Sequence, residues 1–172
     1  MFNPKIRPNN IETLDLEKYL EIVEELSKIN REGIEDELTQ FSAYFSYYYC
    51  LQVKAKRNLD KAVFALDTYR SGIKTDIRKT TTRLDSGSKL TVEALNDMVN
   101  SKDDVQSLNS EVSKSEEIYG LMKGICLTLE HKKDMLVQLS ANKRQDTSLL
   151  LAHKKDNYGN TSRTKRKTQE AN

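Results

Sequence analysis

The chain has 172 residues, of which 31% are charged and 37% hydrophobic, and its mean hydropathy is -0.72. This composition is too polar for a large globular core, and no apolar run approaches the roughly 18 residues of a membrane span. We therefore expect a cytoplasmic protein that contacts no membrane. Six glycines and two prolines, both prolines within the first ten residues, leave little to interrupt helices, so the expected fold class is all-α.

Charge is strongly segregated along the chain, although the net charge is only +2. Residues 1–40 carry a net charge of -5, residues 41–83 of +6, residues 84–130 of -5 and residues 131–172 of +6. Basic blocks of this kind can form a polyanion-binding surface, whereas acidic blocks indicate protein contacts or solubility.

At the N-terminus the sequence predicts a flexible lead-in over residues 1–9. The spacing of its apolar residues then predicts an amphipathic helix over about residues 13–31. Thr13 is the expected N-cap, acidic residues occupy the first turn, and Gly33 is the expected stop. We expect this acidic helix to pack on its own chain.

A heptad pattern predicts a long helix over residues 34–79. Apolar residues recur at alternating intervals of four and three from Ile34 to Ile73, interrupted only by Gln52, which is the seam of a helix packed lengthwise on another helix. A second apolar stripe predicts the partner helix over residues 102–143, so we expect an elongated, oligomerising antiparallel helical hairpin.

The remaining segments complete one predicted helical domain over residues 10–154. A short helix over residues 91–100 precedes the partner helix, and a further helix over residues 147–154 follows it. Residues 155–172 have the composition of a disordered basic tail.

No charged residue lies between Phe41 and Val53, and aromatic side chains surround the helix in this section. A helix that is apolar on every side is buried on every side, so we expect packing in the core and against other subunits. The residues expected to pack in this way are Phe41, Tyr44, Phe45, Tyr48, Leu121 and Ile125. The alternative is that tyrosines of this section stack on nucleic-acid bases.

The predicted partner helix contains two glycines, and each predicted long helix contains one cysteine. Gly120 and Gly124 are expected to let a bulky side chain come close, with the tyrosine-rich section as the candidate neighbour. Cys50 and Cys126 are expected to be buried, reduced thiols rather than a disulfide.

The outer positions of the first long helix turn basic from Lys54 onward. Arg70, Lys74 and Arg78 have the spacing i, i+4, i+8, which places three cations on one face where they can follow phosphates. The alternative is a basic face that is only solvated. The candidate DNA-binding residues are Lys54, Arg57, Lys61, Arg70, Lys74, Arg78, Lys79 and Arg83.

The sequence contains no pattern typical of catalysis or metal binding. The glycines never approach the spacing of a phosphate-binding loop, and His131 and His153 lie far from a second pair of ligands. Adjacent carboxylates such as Asp103 and Asp104 point in different directions on a helix, so they form no acid/base pair. We expect a protein that is not an enzyme and uses no metal or cofactor.

Three short strings stand out in the two long helices. They are Leu66-Asp67-Thr68-Tyr69-Arg70-Ser71-Gly72, Lys102-Asp103-Asp104-Val105 and Lys132-Lys133-Asp134-Met135-Leu136. Together with the helix patterns over roughly residues 44–144, they make the chain resemble the UvsY-type recombination mediators of tailed bacteriophages. The resemblance implies a helical protein that assembles into homo-oligomeric rings and binds single-stranded DNA. It also implies that the protein helps a RecA-like recombinase to replace the single-strand DNA-binding protein on that DNA.

Carried over by position, the DNA contacts of that family fall in the basic stretch around the first string. Residues 63–65 are apolar here where the family is basic, so Lys61 on one side and Arg70, Lys74 and Arg78 on the other would supply the charge. The implied partners are single-stranded DNA, a RecA-like recombinase, a single-strand DNA-binding protein and further copies of the chain, in the cytoplasm of an infected host cell. The alternative is a structural coiled-coil or assembly-chaperone protein that does not bind DNA.

Overall fold

The computed structural model describes residues 11–81 and 89–169, with side chains at residues 11, 12, 14–81 and 89–151. The regular structure of these residues is helical, which confirms the predicted all-α class. A 3-10 helix, Ile11–Thr13, precedes four α-helices. They are α1 (Leu16–Ser27), α2 (Ile34–Thr80), α3 (Val92–Asn100) and α4 (Asp103–Gln169). The predicted lead-in, residues 1–9, lies outside the described residues.

Helix α1 is shorter at both ends than the predicted helix. Its N-cap is Asp15, whose carboxylate accepts a 2.9 Å hydrogen bond from a backbone N–H of the first turn, whereas Thr13 belongs to the 3-10 helix. The last helical residue is Ser27, and Gly33 is the N-cap of α2 rather than the stop of α1. Both differences arise because caps depend on hydrogen bonds that amphipathic periodicity does not reveal.

The long helices α2 and α4 form the main contact of the fold, while α1 packs on α4 and α3 packs on both α2 and α4. Specific side-chain contacts join α2 to α4 at three levels. The pairs are Tyr69 with Asp104, Lys56 with Tyr119, and Glu37 with Lys132. Residues that come earlier in α2 therefore contact residues that come later in α4.

The predicted apolar seam of α2 lies against the other helices. Of its twelve positions from Ile34 to Ile73, eleven are buried or half-buried, and only Tyr69 is exposed, at 37%. The alternating spacing of four and three keeps these side chains on one stripe, so a partner helix covers them along most of the length of α2.

Buried apolar side chains form two clusters. The larger one joins α1, α2 and α4, and its buried members are Ile11, Leu14, Ile22, Leu26, Tyr48, Ala55, Met122, Ile125, Cys126 and Leu129. The smaller one joins α2, α3 and the start of α4 through Leu66, Val99 and Val105. The N-terminal helix thus packs on its own chain and thickens one end of the helix pair into three helices.

Gly124 provides the space for this third helix. A Cβ at Gly124 would lie 2.7 Å from Oη of Tyr19, so the tyrosine ring of α1 sits directly over the glycine. The bulky neighbour is therefore a tyrosine of α1 and not, as expected, the tyrosine-rich section of α2. Gly120 is exposed, and a Cβ there would meet nothing within 4 Å.

Helix α4 extends well past the predicted partner helix 102–143. It continues through residues 144–146, where the sequence predicts a break, so the predicted helix 147–154 is part of α4. Residues 155–169 are also helical where a disordered tail is predicted, and residues 170–172 lie outside the described part. Residues 141–169 contain one glycine and no proline, so nothing there interrupts the helical hydrogen bonds. Every residue from 141 to 151 is exposed.

A partly buried ion pair ties three helices together where α1 ends and α2 begins. Lys132 Nζ of α4 lies 2.9 Å from Oε2 of Glu37, with exposed fractions of 16% and 21% for the two side chains. The same ammonium donates a 2.7 Å hydrogen bond to the carbonyl oxygen of Lys28, the C-cap of α1. Cations are favourable at helix C-termini and carboxylates near N-termini, so this pair stabilises the end of α1 and the start of α2 together.

The two glycines of α4 give a matched test of the contact with Tyr19. We expect Gly120→Ala to raise the free energy of unfolding by about 0.5–1 kcal/mol, because alanine is the better helix former and the site is open. We expect Gly124→Ala to lower it by about 1 kcal/mol or more, because the tyrosine ring must be displaced. Urea denaturation measures both values, and equal stabilisation by the two substitutions would contradict the close packing.

Lys132→Met tests the ion pair. The substitution leaves the mostly buried Glu37 carboxylate without its cation and the Lys28 carbonyl without its donor, so we expect the free energy of unfolding to fall by about 1–3 kcal/mol. Lys133→Met removes the same charge at an exposed neighbouring position and should change it by less than about 0.5 kcal/mol. Chemical denaturation followed by circular dichroism compares the two. Indistinguishable values would show that the pair does not stabilise the junction.

Candidate nucleic-acid interface

Helix α2 carries three exposed cations outside its apolar seam. Lys54, Arg57 and Lys61 are spaced i, i+3, i+7, so their side chains lie on one face of the helix within about two turns. We call these three residues the outer basic face. Among the described residues, none of the three has an ion-pair partner. Their charges are therefore available to a ligand.

The one acidic residue in this stretch of α2 is already paired. Asp60 is the only Asp or Glu between residues 54 and 66, and its carboxylate lies 2.8 Å from Nζ of Lys56. This hydrogen bond and the charge of Asp60 raise the pKa of Lys56, whose ammonium also lies 5.6 Å from the ring centroid of Tyr119. Lys56 thus offsets Asp60, and the three cations beside it keep their net positive charge.

Arg70 does not belong to an open basic face. Its Nη2 donates hydrogen bonds to Oδ1 of Asn109 at 3.1 Å and of Asn100 at 3.5 Å, and its Nε is buried without a hydrogen-bond partner. Arg70 and Lys74 are half-buried, and Arg78 is exposed. The predicted row of three cations is therefore divided, because Arg70 lies beside the seam where α3 and α4 pack.

Tyr69 is held in the same junction. Its hydroxyl donates a hydrogen bond to the carboxylate of Asp104 in α4, and this bond, with a smaller effect of burial, raises the pKa of Tyr69. Tyr69 and Arg70 belong to the first of the three strings noted in the sequence. In the structure they connect α2 to α3 and α4.

The last two candidate cations lie at the end of α2 or beyond it. Lys79 is exposed in the final turn, with its Nζ 4.0 Å from a carboxylate oxygen of Asp76. An exposed pair at this distance is weak, so Lys79 remains accessible. Arg83 lies outside the described residues.

The six residues expected to pack in the core or between subunits all lie in or around the larger apolar cluster. Tyr48 and Ile125 have no exposed surface, while the other four are half-buried against the cluster. Those four are Phe41, Tyr44, Phe45 and Leu121.

An aromatic row on α2 leads toward the outer basic face. The rings of Phe41 and Phe45 are stacked with centroids 5.7 Å apart, and those of Phe45 and Tyr49 with centroids 5.9 Å apart. Continuing at intervals of four, the row reaches Val53 and then Arg57. Tyr49 and Val53 are about half exposed, at 52% and 53%. The row is therefore half-buried at its start and exposed where it meets the cations.

Phe64 is the residue of this surface that sequence reasoning missed. Its side chain is 73% exposed, the highest value among the large hydrophobic residues exposed in the described part of the chain. It follows Arg57 by seven residues and Lys61 by three, which places it on the same face of α2. The sequence shows this spacing, but it does not show that Phe64 is exposed.

A groove of about 500 Å³ opens on one side of Lys61, between α2, α4 and the 3-10 helix. Lys61 and Lys114 line it together with Glu12 and Glu111. Because the lining carries both signs of charge, the groove has no clear preference for an anion. The exposed helix face remains the stronger candidate for phosphate contacts.

Among the described residues, no three His, Cys, Asp or Glu side chains converge so that they could hold a metal ion, and no described helix has an apolar stretch long enough to cross a membrane. Comparison with protein-family models, with curated proteins and with solved structures gave no match.

The two cysteines differ in exposure, which corrects the expectation that both are buried. Cys50 is exposed one turn before Lys54, whereas Cys126 is buried, and both are free thiols. Burial, with a smaller contribution from Glu130, raises the pKa of Cys126 to about 11.

Thiol alkylation should separate these two cysteines. At pH 8 we expect one thiol per folded chain to react rapidly, at Cys50, because Cys126 is inaccessible and has almost no thiolate. The second thiol should react only in urea, and Cys50→Ser should remove the rapid phase. Rapid reaction of both thiols in the folded protein would contradict the burial of Cys126.

Proposed function

We propose that this protein binds single-stranded DNA through the outer basic face of α2. We further propose that it acts, without catalysis, as a recombination mediator that helps to load a RecA-like recombinase onto DNA coated by single-strand DNA-binding protein. The observation that supports DNA binding is the group of three exposed, unpaired cations on one helix face. The mediator role rests on the resemblance of the short strings to UvsY-type proteins.

The proposed binding mode is contact with phosphates rather than recognition of sequence. Lysine and arginine on an open helix face neutralise phosphates as point charges, and such contacts carry no base information. The convex surface of a single helix also offers no pocket for a specific base. Affinity should therefore be indifferent to sequence and should fall steeply with salt.

The proposed architecture is an antiparallel hairpin of α2 and α4. Its support is the order of the contacts, since Glu37 near the start of α2 meets Lys132, whereas Tyr69 near its end meets Asp104 at the start of α4. In such a hairpin the outer basic face lies near the middle of the long axis of α2, away from both turns.

We also propose that the chain forms homo-oligomers through the open part of the aromatic row. Tyr49 and Val53 are about half exposed in the single chain, although each continues a row that is packed at its start. A contiguous apolar patch on a soluble protein marks an interaction site. A second copy covering this patch would leave the cations at its end free.

The first test is fluorescence anisotropy with a labelled oligothymidylate across a salt series, with sedimentation velocity to report the assembly state. The variant replaces the outer basic face by Lys54→Gln, Arg57→Gln and Lys61→Gln. The slope of the logarithm of the binding constant against the logarithm of the salt concentration should be shallower than that of the wild type by about 2. Each of the three lost phosphate contacts accounts for about 0.7 of this difference. Its affinity at low salt should fall more than about tenfold.

The control triple changes net charge equally at exposed lysines on other surfaces. It replaces Lys89, Lys102 and Lys123 by glutamine. An equal reduction of affinity in both triple variants would mean that only net charge matters, and would contradict a site on the outer basic face.

No binding by the wild type at low salt would contradict the proposal and favour a structural coiled-coil or assembly-chaperone protein. If binding is found, recombinase loading on DNA coated by single-strand DNA-binding protein tests the mediator role.

A further inference from the structure

We infer that Phe64 stacks on an unpaired base and so gives the outer basic face its preference for single strands over duplex. This inference rests on the proposed DNA binding. It adds that Phe64 discriminates single-stranded from double-stranded DNA.

The position of Phe64 suits this role. Lys61 lies one turn before Phe64, and Arg57 lies two turns before it, so the ring is within about 11 Å of both cations along the helix axis. A strand whose phosphates contact these cations therefore passes beside the ring.

Packing within the chain does not account for this side chain. Phe64 is 73% exposed and belongs to neither apolar cluster, whereas Ala62 and Leu66, two residues away on each side, are buried in the seam. Its outward direction follows from helix geometry, since a residue between two seam positions points away from the partner.

The chemistry explains why an aromatic residue is needed at this place. Cations attract the phosphates of single strands and of duplexes alike, so they cannot by themselves separate the two. In a duplex the base faces are stacked on one another, whereas in a single strand they are open to an aromatic ring. An exposed phenylalanine among cations adds affinity only for the single strand.

The test compares Phe64→Ala and Phe64→Leu with the wild type on oligothymidylate and on a duplex of the same length. For one stacked base, Phe64→Ala should weaken single-strand binding by about 5- to 150-fold. Leucine keeps an apolar side chain but no ring, so Phe64→Leu should be weakened similarly. Duplex affinity and the salt slope should not change in either variant, because both keep every cation that contacts a phosphate.

Two further variants complete the design. Val92→Ala is the matched control, because Val92 is 69% exposed on α3 and does not belong to the outer basic face. Phe64→Trp provides a direct signal, since the chain contains no other tryptophan. Its fluorescence should be quenched by single-stranded oligothymidylate and unchanged by duplex, and its affinity should equal or exceed that of the wild type.

The outcomes distinguish this inference from the proposed function. If Phe64→Ala binds like the wild type while the Lys54, Arg57 and Lys61 triple does not, the stacking role is wrong and DNA binding stands. If Phe64→Ala dissociates the assembly in sedimentation and Phe64→Leu restores it, Phe64 is a contact between copies and the inference is again overturned. If the wild type binds no single-stranded DNA at low salt, both are overturned.

Discussion

The contact between α2 and α4 is the constraint on which the rest of this structure depends. A helix of 47 residues is about 70 Å long at 1.5 Å per residue, and no small core can cover it. Helices in proteins are stabilised mainly by packing along an apolar stripe, so α2 requires a partner along its length. A single partner covers a single stripe. The other faces of α2 remain open, and the exposed cations and Phe64 lie there.

The pair of α2 and α4 alone would be two helices thick, and α1 adds a third helix at one end. The third helix completes the larger apolar cluster, and its position depends on two residues of α4. Gly124 leaves the space for the ring of Tyr19, while Lys132 donates to the carbonyl of the α1 C-cap and pairs with Glu37 of α2. At the opposite end of the helix pair, α3 packs against Leu66 of α2 and Val105 of α4. Each end of the helix pair is thus closed by a short helix.

Periodicity in the sequence was enough to predict α2 and the part of α4 up to residue 143, because an apolar stripe is a strong signal and few glycines or prolines disturb it. It did not predict that α4 continues without a break to Gln169, because the rest of the helix has no such stripe. It was not enough for features that depend on a neighbouring element. The pairing of Gly124 with Tyr19 joins residues more than 100 positions apart, and the engagement of Arg70 with Asn109 requires the register of α2 on α4. Spacing alone predicts Arg70, Lys74 and Arg78 on one open face, because helical spacing does not show which face a partner helix covers. Phe64 was missed for the converse reason, because an apolar residue in a helix is usually buried.

The segregation of charge along the sequence becomes a segregation in space once the helices pack. Helix α1 carries four acidic residues and one basic residue, and it packs on α4 rather than over the outer basic face of α2. The first part of α4 lies within the acidic block of residues 84–130, and its Asp104 is turned toward Tyr69 at the end of α2. Within the basic stretch of α2, Asp60 is paired with Lys56, and Asp67 is the next acidic residue, one turn after Phe64. In the proposed DNA binding, such a charge distribution would orient the polyanion toward one face of α2 before contact. An acidic helix lying over Lys54, Arg57 and Lys61 would offset their charge, so the packing of α1 on Gly124 also keeps the outer basic face open.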